Sequence, residues 1–300
     1  MKATATPLNA AALVEKSWLT LVCELTKVRL TTLVLLTTLV GFYLGSETMD
    51  FVLLLHTLLA TALVACGASA LNQWWEREAD SKMRRTEDRP LPSGRLQPQT
   101  VLIFGGLCGI AGLVYLALAV NPLTSLLGAL TLGTYVLVYT PLKRLTWLNT
   151  TVGAIPGALP PLMGWTAARN ELSTEGWVLF AILFFWQIPH FLAIAWIYRD
   201  EYAKAGFIML PGVDPKGVRT ASQAVSHTIA LLAASLGPVV FRLAGPIYLV
   251  GALLLGIAFF YCAVQFSRRL GLPEARRLFF ISIIYLPLLL GLLVLDKIKG

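Results

Sequence analysis

Asn72, Glu76 and Asp80 stand four residues apart in a stretch, Asn72 to Arg95, that is dense in charge within an otherwise apolar chain. If one helix runs through them, three oxygen-bearing side chains share a face over two turns. A few carboxylate and amide oxygens at a helix end suit a hard cation such as Mg²⁺, which completes its shell with water and a substrate's phosphate oxygens. Lys82, Arg84, Arg85 and Arg89 follow at once, and such cations bind phosphate, arginine often through two parallel bonds. Acid cluster then basic cluster reads as a metal-bridged diphosphate site. The plainer reading is a solvated basic loop that only fixes topology, as loops after membrane helices commonly do.

The elements that must carry these residues are membrane helices. The chain is 300 residues long, 57% hydrophobic and 13% charged, whereas a soluble domain carries about a quarter charged residues. Apolar runs near the ~20 residues that cross a bilayer fall at about 30–45, 51–71, 101–120, 123–139, 147–167, 177–197, 221–241, 247–266 and 278–295. The expected architecture is all-α, a polytopic bundle of about nine transmembrane helices forming one integral-membrane domain over 1–300. Residues 1–25 are expected to form its N-terminal cytoplasmic segment, without a removable signal peptide. The second, sixth and seventh spans should project past the hydrocarbon. Pro156, Pro160, Pro161, Pro189 and Pro287 lie within spans and predict kinks.

Basic residues decide the orientation. With the N-terminus in the cytoplasm, only Arg169, Arg242, Lys297 and Lys299 of the 24 Lys and Arg fall outside, a strong positive-inside bias. That placement makes membrane orientation a better account of the net charge of +8 than nucleic-acid binding. The loops after spans 2 and 6 then face the same side. The second loop, Tyr198 to Gly206, again pairs carboxylates (Asp200, Glu201) with cations (Arg199, Lys204) at a helix end, and the two loops can meet over one cavity. Asp80 and Asp200 lie 120 residues apart, a spacing that hints at four-helix units without residue-level repetition.

Polar groups inside the intervening spans are functional candidates by default. They include Tyr139-Thr140 with Lys143-Arg144, Asn149-Thr150-Thr151, and Trp186-Gln187-Ile188-Pro189-His190. For His190 and His227 an interhelical hydrogen bond is the competing reading, and His56, in the outer half of its span, reads as structural. Cys23, Cys66, Cys108 and Cys262 are scattered singly and read as small hydrophobes, with no disulfide framework or thiolate metal site.

The run Asn72 through Leu91, with Glu76, Asp80, Met83, Arg85-Thr86 and Arg89-Pro90-Leu91, resembles the first signature of the UbiA-type membrane prenyltransferases, in the form typical of their heme-modifying branch. Leu25-Thr26-Lys27 with Arg29, Tyr139 through Thr150, Gly157 through Gly164, Trp186 through Phe191 and Tyr202 through Pro211 agree in order, so the resemblance covers about residues 24–295. Val28 stands where the family usually has proline. The superfamily's second acidic motif is reduced, with His190 in the neighbourhood where relatives carry aspartate and only Asp200 and Glu201 remaining.

The resemblance implies transfer of a farnesyl group from farnesyl diphosphate to the vinyl group of heme b, with water added and diphosphate released, giving heme O. Mg²⁺, with Mn²⁺ as a substitute, would sit on Asn72, Glu76 and Asp80, with Glu201 or Asp200 completing a second site or positioning water. Lys82, Arg84, Arg85, Arg89, Lys143 and Arg199 would neutralise the diphosphate. Tyr139, Trp186 and Tyr198 would offer π faces to the carbocation, and His190 would touch the porphyrin, as an axial ligand in one version. The implied setting is the bacterial inner membrane, with a site opening sideways into the bilayer, and with self-association or contacts to heme-modifying or oxidase-assembly proteins. Two other readings share the charged helix ends: a prenyltransferase for an aromatic or quinone precursor, and a transporter that binds a carried anion without ionising it.

Overall fold

The computed structural model describes residues 16–298; Lys2 and Lys299, counted in the charge asymmetry, lie outside them. The chain enters through α1 (Trp18–Leu25), a short helix that buries Leu21 and Leu25 while Trp18 and Leu19 stay exposed. Such a split face suits the membrane–water boundary. The Ser17 hydroxyl caps it, accepting from the Thr20 amide. Lys27 then turns the chain with a left-handed φ of 48° into α2 (Val28–Gly45), followed by α3 (Phe51–Asp80), α4 (Pro98–Ala119) and α5 (Pro122–Leu142). Next come α6 (Asn149–Arg169), α7 (Thr174–Ile197), the short α8 (Arg199–Lys204) and α9 (Leu210–Val213), then α10 (Val218–Val240), α11 (Pro246–Arg269) and α12 (Leu272–Leu295). Among the described residues there is no strand, only one isolated bridge between Ala244 and Lys297.

Nine of these helices are long, and eight of them are long and apolar enough to cross a membrane. The exception is α6, which contains Asn149, Thr150, Thr151 and three prolines. It packs against α2, α5 and α7 and buries 15 of its 21 residues. A helix shielded from lipid on most sides need not be apolar in composition, so packing here overrides hydropathy. Small residues permit the close approach: a Cβ on Gly164 would strike the Thr38 carbonyl of α2, and one on Gly41 of α2 would strike the Pro161 carbonyl of α6. The helices that pack in sequence, α3 on α4, α10 on α11 and α11 on α12, complete the bundle.

The 30 residues of α3 span about 45 Å at ~1.5 Å per residue, against ~30 Å of hydrocarbon, so its last turns project as expected and carry the acidic cluster out of the apolar layer. Prolines 156, 160, 161, 189 and 287 sit within continuous helices. A break in helical regularity falls in α5, whose turns over Thr134–Tyr139 widen to π-helix ahead of Pro141. A π turn re-aims side chains and recurs at functional sites, and here it presents Tyr135 and Tyr139.

Candidate active site

The face predicted on α3 exists and is buried: Asn72 is 1% exposed, Glu76 5% and Asp80 1%. Each of these oxygen carriers is met by a cation from another part of the chain. The Lys27 ammonium donates to Asn72 Oδ1 at 2.7 Å, Lys143 Nζ lies 2.7 Å from Glu76 Oε1, and Arg89 donates to Asp80 Oδ2 at 2.6 Å. The Asn72 amide is oriented at both ends, because its Nδ2 donates to Thr140 Oγ1 at 3.1 Å. Gln73, one residue on, holds α1 in place by donating to the carbonyls of Glu24 and Leu25.

A small polar pocket of about 90 Å³ is bounded by these groups together with Arg85, Tyr135, Tyr139, Tyr202, Phe207 and Met209. Its walls hold four cations, Lys27, Arg85, Arg89 and Lys143, against two carboxylates, Glu76 and Asp80. That surplus of positive charge, withdrawn from bulk water, calls for an anion. Removal from water, and then the nearby Arg89, push the Lys27 ammonium down to about 7, against the pull of Glu76. For Lys143, burial acts in the same direction but is outweighed by Glu76, Tyr139 and Tyr135, which hold it above the ordinary lysine range and hence charged. Its ammonium also sits 4.5 Å from the centre of the Tyr139 ring.

The donor set suits a hard divalent cation. Two carboxylates and an amide oxygen line one pocket, and Glu76 Oε1 is buried against the Lys143 ammonium at 2.7 Å. No group of three or more His, Cys, Asp or Glu side chains placed to hold a metal ion occurs among the described residues; a hard cation here would take the rest of its shell from ligand oxygens, as Mg²⁺ does at phosphates.

Beyond the tyrosines the pocket gives way to an apolar chamber of about 240 Å³ between α2, α3, α5, α6 and α7. Tyr135 and Tyr139 border both spaces, their rings 5.5 Å apart between centres. Gly153 makes room for the Tyr139 ring, since a Cβ there would collide with it. Leu30 of α2 lines the chamber and is itself 48% exposed.

The second loop does close over the first, but through residues other than its carboxylates. Arg85 reaches across, its guanidinium 5.4 Å from the Tyr198 ring centre and 5.5 Å from that of Tyr202, and it donates to the Tyr202 hydroxyl. The Ile208 amide donates to the Lys143 carbonyl at 2.7 Å, and Asn149 Nδ2 donates to the Ile208 carbonyl at 2.8 Å. The loop is thereby fixed to the turn that bears Lys143. Asp200, with an 86% exposed side chain, pairs only with its neighbour Arg199, which stacks on Trp196. Glu201 stays outside the pocket wall, with Oε2 buried and unpartnered. Lys82 and Arg84 point to solvent.

Trp186 and His190 do not line the chamber. Helical geometry turns them toward α12, where the indole N–H donates to the Ser282 carbonyl at 2.7 Å and His190 Nδ1 bonds the Ser282 hydroxyl at 2.7 Å. The imidazole stacks on Trp186 and Phe279. His227 bonds within its own helix and His56 bonds Tyr115, both structural contacts. Sequence reasoning gave no site role to Lys27, quoted only among the basic residues and the segments of the family resemblance, or to Tyr135. The available signals were a lysine abutting an apolar run and a tyrosine one turn before Tyr139.

A buried acid–base cluster at the mouth of an apolar chamber in an all-helical membrane bundle defines an enzyme that handles a charged head on a lipophilic tail. The chain belongs to the UbiA prenyltransferase family, matched over residues 34–284. It is similar to protoheme IX farnesyltransferase of Solibacter usitatus, 50% identical with 91% of this chain and 97% of the relative covered. It is also similar to the protein of that name from Myxococcus xanthus, 46% identical with 92% and 94% covered. Among solved structures, a digeranylgeranylglyceryl phosphate synthase superposes with a TM-score of 0.79 at 18% identity, covering 93% of this chain and 98% of its own. A UbiA homolog from Archaeoglobus fulgidus bound to GPP and Mg²⁺ superposes with a TM-score of 0.66 at 17% identity, covering 91% and 99%. At those identities the likeness is one of fold. The protein is an integral-membrane prenyltransferase.

Proposed function

We propose that the protein transfers the farnesyl group of farnesyl diphosphate to a vinyl group of heme b, adding water to give heme O and diphosphate. The observation that carries this reading is the junction at Tyr135 and Tyr139, where a pocket with surplus positive charge opens into an apolar chamber. The names of relatives 46–50% identical over nearly the whole chain supply the acceptor.

The allylic C–O bond breaks with its electron pair leaving on the diphosphate. Lys27, Arg89 and Lys143 stabilise that growing charge, and their positions are set in advance by Asn72, Asp80 and Glu76. Preorganisation of this kind avoids reorientation as charge develops. The Tyr135 and Tyr139 rings present π faces where the allylic cation forms, and the apolar wall keeps bulk water from it. The cation then bonds to the terminal vinyl carbon, and the positive charge passed to the other vinyl carbon is quenched by water, which releases a proton. Mg²⁺ held by Asn72, Glu76 and Asp80, with Mn²⁺ as an alternative, would supply Lewis-acid charge to the leaving group. Glu201, whose Oε2 is buried without a hydrogen-bond partner, is the candidate for a second ion or for the water, ahead of the solvent-exposed Asp200. Arg85 and Tyr198 close the head-group pocket, while Arg199, Lys82 and Arg84 draw the diphosphate in from solvent. The porphyrin, too large for a chamber of this size, enters beside Leu30 from the bilayer. Trp186 and His190 would meet it only on the side of α7 that packs on α12. The charge asymmetry supports a cytoplasmic location for both loops in a bacterial inner membrane.

The test is incubation of the purified protein with heme b, labelled farnesyl diphosphate and Mg²⁺, followed by mass analysis of the hemes. Heme carrying one farnesyl and one added water is expected from the unaltered protein, and a loss of 10²-fold or more from Glu76→Ala and Asp80→Ala. Prenylation of an aromatic acid in place of heme would move the protein to the quinone branch, and release of intact farnesyl diphosphate would end the enzymatic reading.

A further inference from the structure

The chamber ends in a packed floor. Of the α3 residues that line it, Thr61 lies farthest along the helix from the head-group pocket, and Thr131 of α5 and Met163 of α6 line the chamber with it, Thr61 being 2% and Met163 1% exposed. The Thr131 hydroxyl donates to the Leu127 carbonyl and touches the Met163 sulfur at 3.7 Å. Behind them Ala60, Leu116, Leu127, Leu159 and Leu162 form a buried apolar cluster. The Thr61 hydroxyl is buried and makes no hydrogen bond, an arrangement that proteins generally avoid and that here places a polar atom at the blind end of an apolar space.

We infer that Thr61, Thr131 and Met163 gauge the length of the isoprenoid and select a fifteen-carbon tail over a twenty-carbon one. This inference rests on the reaction proposed above and adds a specificity determinant to it. The ruler is α3 itself, which lines the chamber from Thr61 to Ser69 and the head-group pocket from Asn72 onward. Eleven residues from Thr61 to Asn72 measure about 16 Å at ~1.5 Å per residue. An extended chain advances ~1.2 Å per main-chain bond, so the farnesyl backbone spans roughly 14 Å and geranylgeranyl roughly 19 Å. The first reaches the floor, and the second overruns it into a cluster with no free volume, where even a methylene is felt.

The purified chain is given heme b with an equimolar mixture of geranyl, farnesyl and geranylgeranyl diphosphates, and the ratios of the products read the ratios of kcat/KM. The unaltered protein is expected to favour farnesyl. Thr61→Ala and Met163→Ala should each raise the geranylgeranyl share by about tenfold or more, the scale on which a pocket discriminates a methylene or two. Thr61→Leu should move preference the other way, toward geranyl diphosphate, a change of sign that general damage does not produce. Equal use of farnesyl and geranylgeranyl by the unaltered protein overturns the gauge without any variant. So does an unchanged ratio in Thr61→Ala and Met163→Ala that still transfer farnesyl. Failure of transfer from every diphosphate refutes the reaction instead. The gauge is then read by displacing labelled farnesyl diphosphate with the longer homologue, and equal displacement overturns it.

Discussion

Lys143 and Glu76 give the clearest separation of stability from chemistry. Their charged atoms are 2.7 Å apart, with side chains 12% and 6% exposed, so at an effective dielectric near ~20 the gross attraction is about 6 kcal/mol. Desolvation offsets much of it, and the measurable quantity is the cost of stranding one partner, about 3–5 kcal/mol. Lys143→Met leaves the Glu76 carboxylate buried without its cation. At the ~2–4 °C per kcal/mol typical of larger domains, the midpoint of thermal unfolding in detergent should fall by roughly 10 °C. The double variant Lys143→Met/Glu76→Gln removes both charges and should recover most of that loss, because a well-filled neutral pair is often as stable as the ion pair it replaces. Activity should behave otherwise. Product formation falls by about 10²-fold or more in Lys143→Met and stays down in the double variant, since neither the cation for diphosphate nor the carboxylate returns. Thermal melts and product quantification on the same preparations decide the matter. A double variant no more stable than Lys143→Met, or one that regains activity, would refute the assignment of this pair to both roles.

Lys27 gives a pH signature in protein free of diphosphate and divalent ions. The folded chain holds its proton only below about 7, the unfolded chain below ~10.4. Between those values the unfolded state binds more protons, so stability should rise with pH across that window, and Lys27→Met should flatten the rise in melts taken from pH 7 to 10. Arg85→Met removes two ring contacts and a hydrogen bond that tie the loops together. A several-fold rise in KM for farnesyl diphosphate is expected with a melting point within a few degrees of the unaltered protein, exposed contacts of this kind being worth about 0.5–1 kcal/mol each. Gly164→Val drives a side chain into the α2 backbone at Thr38, where no side-chain rotation can relieve the clash. The folded protein should be lost or strongly destabilised in size-exclusion chromatography, whereas Gly106→Ala, at a position with open space, should be recovered normally.

The i, i+4, i+8 placement of Asn72, Glu76 and Asp80 was readable because helical periodicity alone puts them on one face. The span count was readable because crossing hydrocarbon imposes a length and a composition that few other structures need. The same logic nearly failed for α6, whose prolines and polar residues look unsuited to a membrane until its neighbours are known to cover it. Trp186 and His190 share a helix with the chamber-lining Gln187 and Phe191. Which side of that helix meets the cavity and which meets α12 depends on packing partners that no local pattern encodes.

The sequence by itself determined an all-helical membrane protein with an acidic and a basic cluster at the end of its second span, because periodicity, hydropathy and charge order are local properties of the chain. Only the tertiary structure decided which cation faces which oxygen, that Lys27 and Tyr135 join the site, that the second loop contributes Tyr202 and Phe207 to the pocket wall in place of Asp200 and Glu201, and where the chamber stops. Those choices depend on how helices distant in sequence approach one another, and that approach is set by small side chains and buried ion pairs, such as Gly164 on Thr38 and Lys143 on Glu76, whose partners lie tens of residues away.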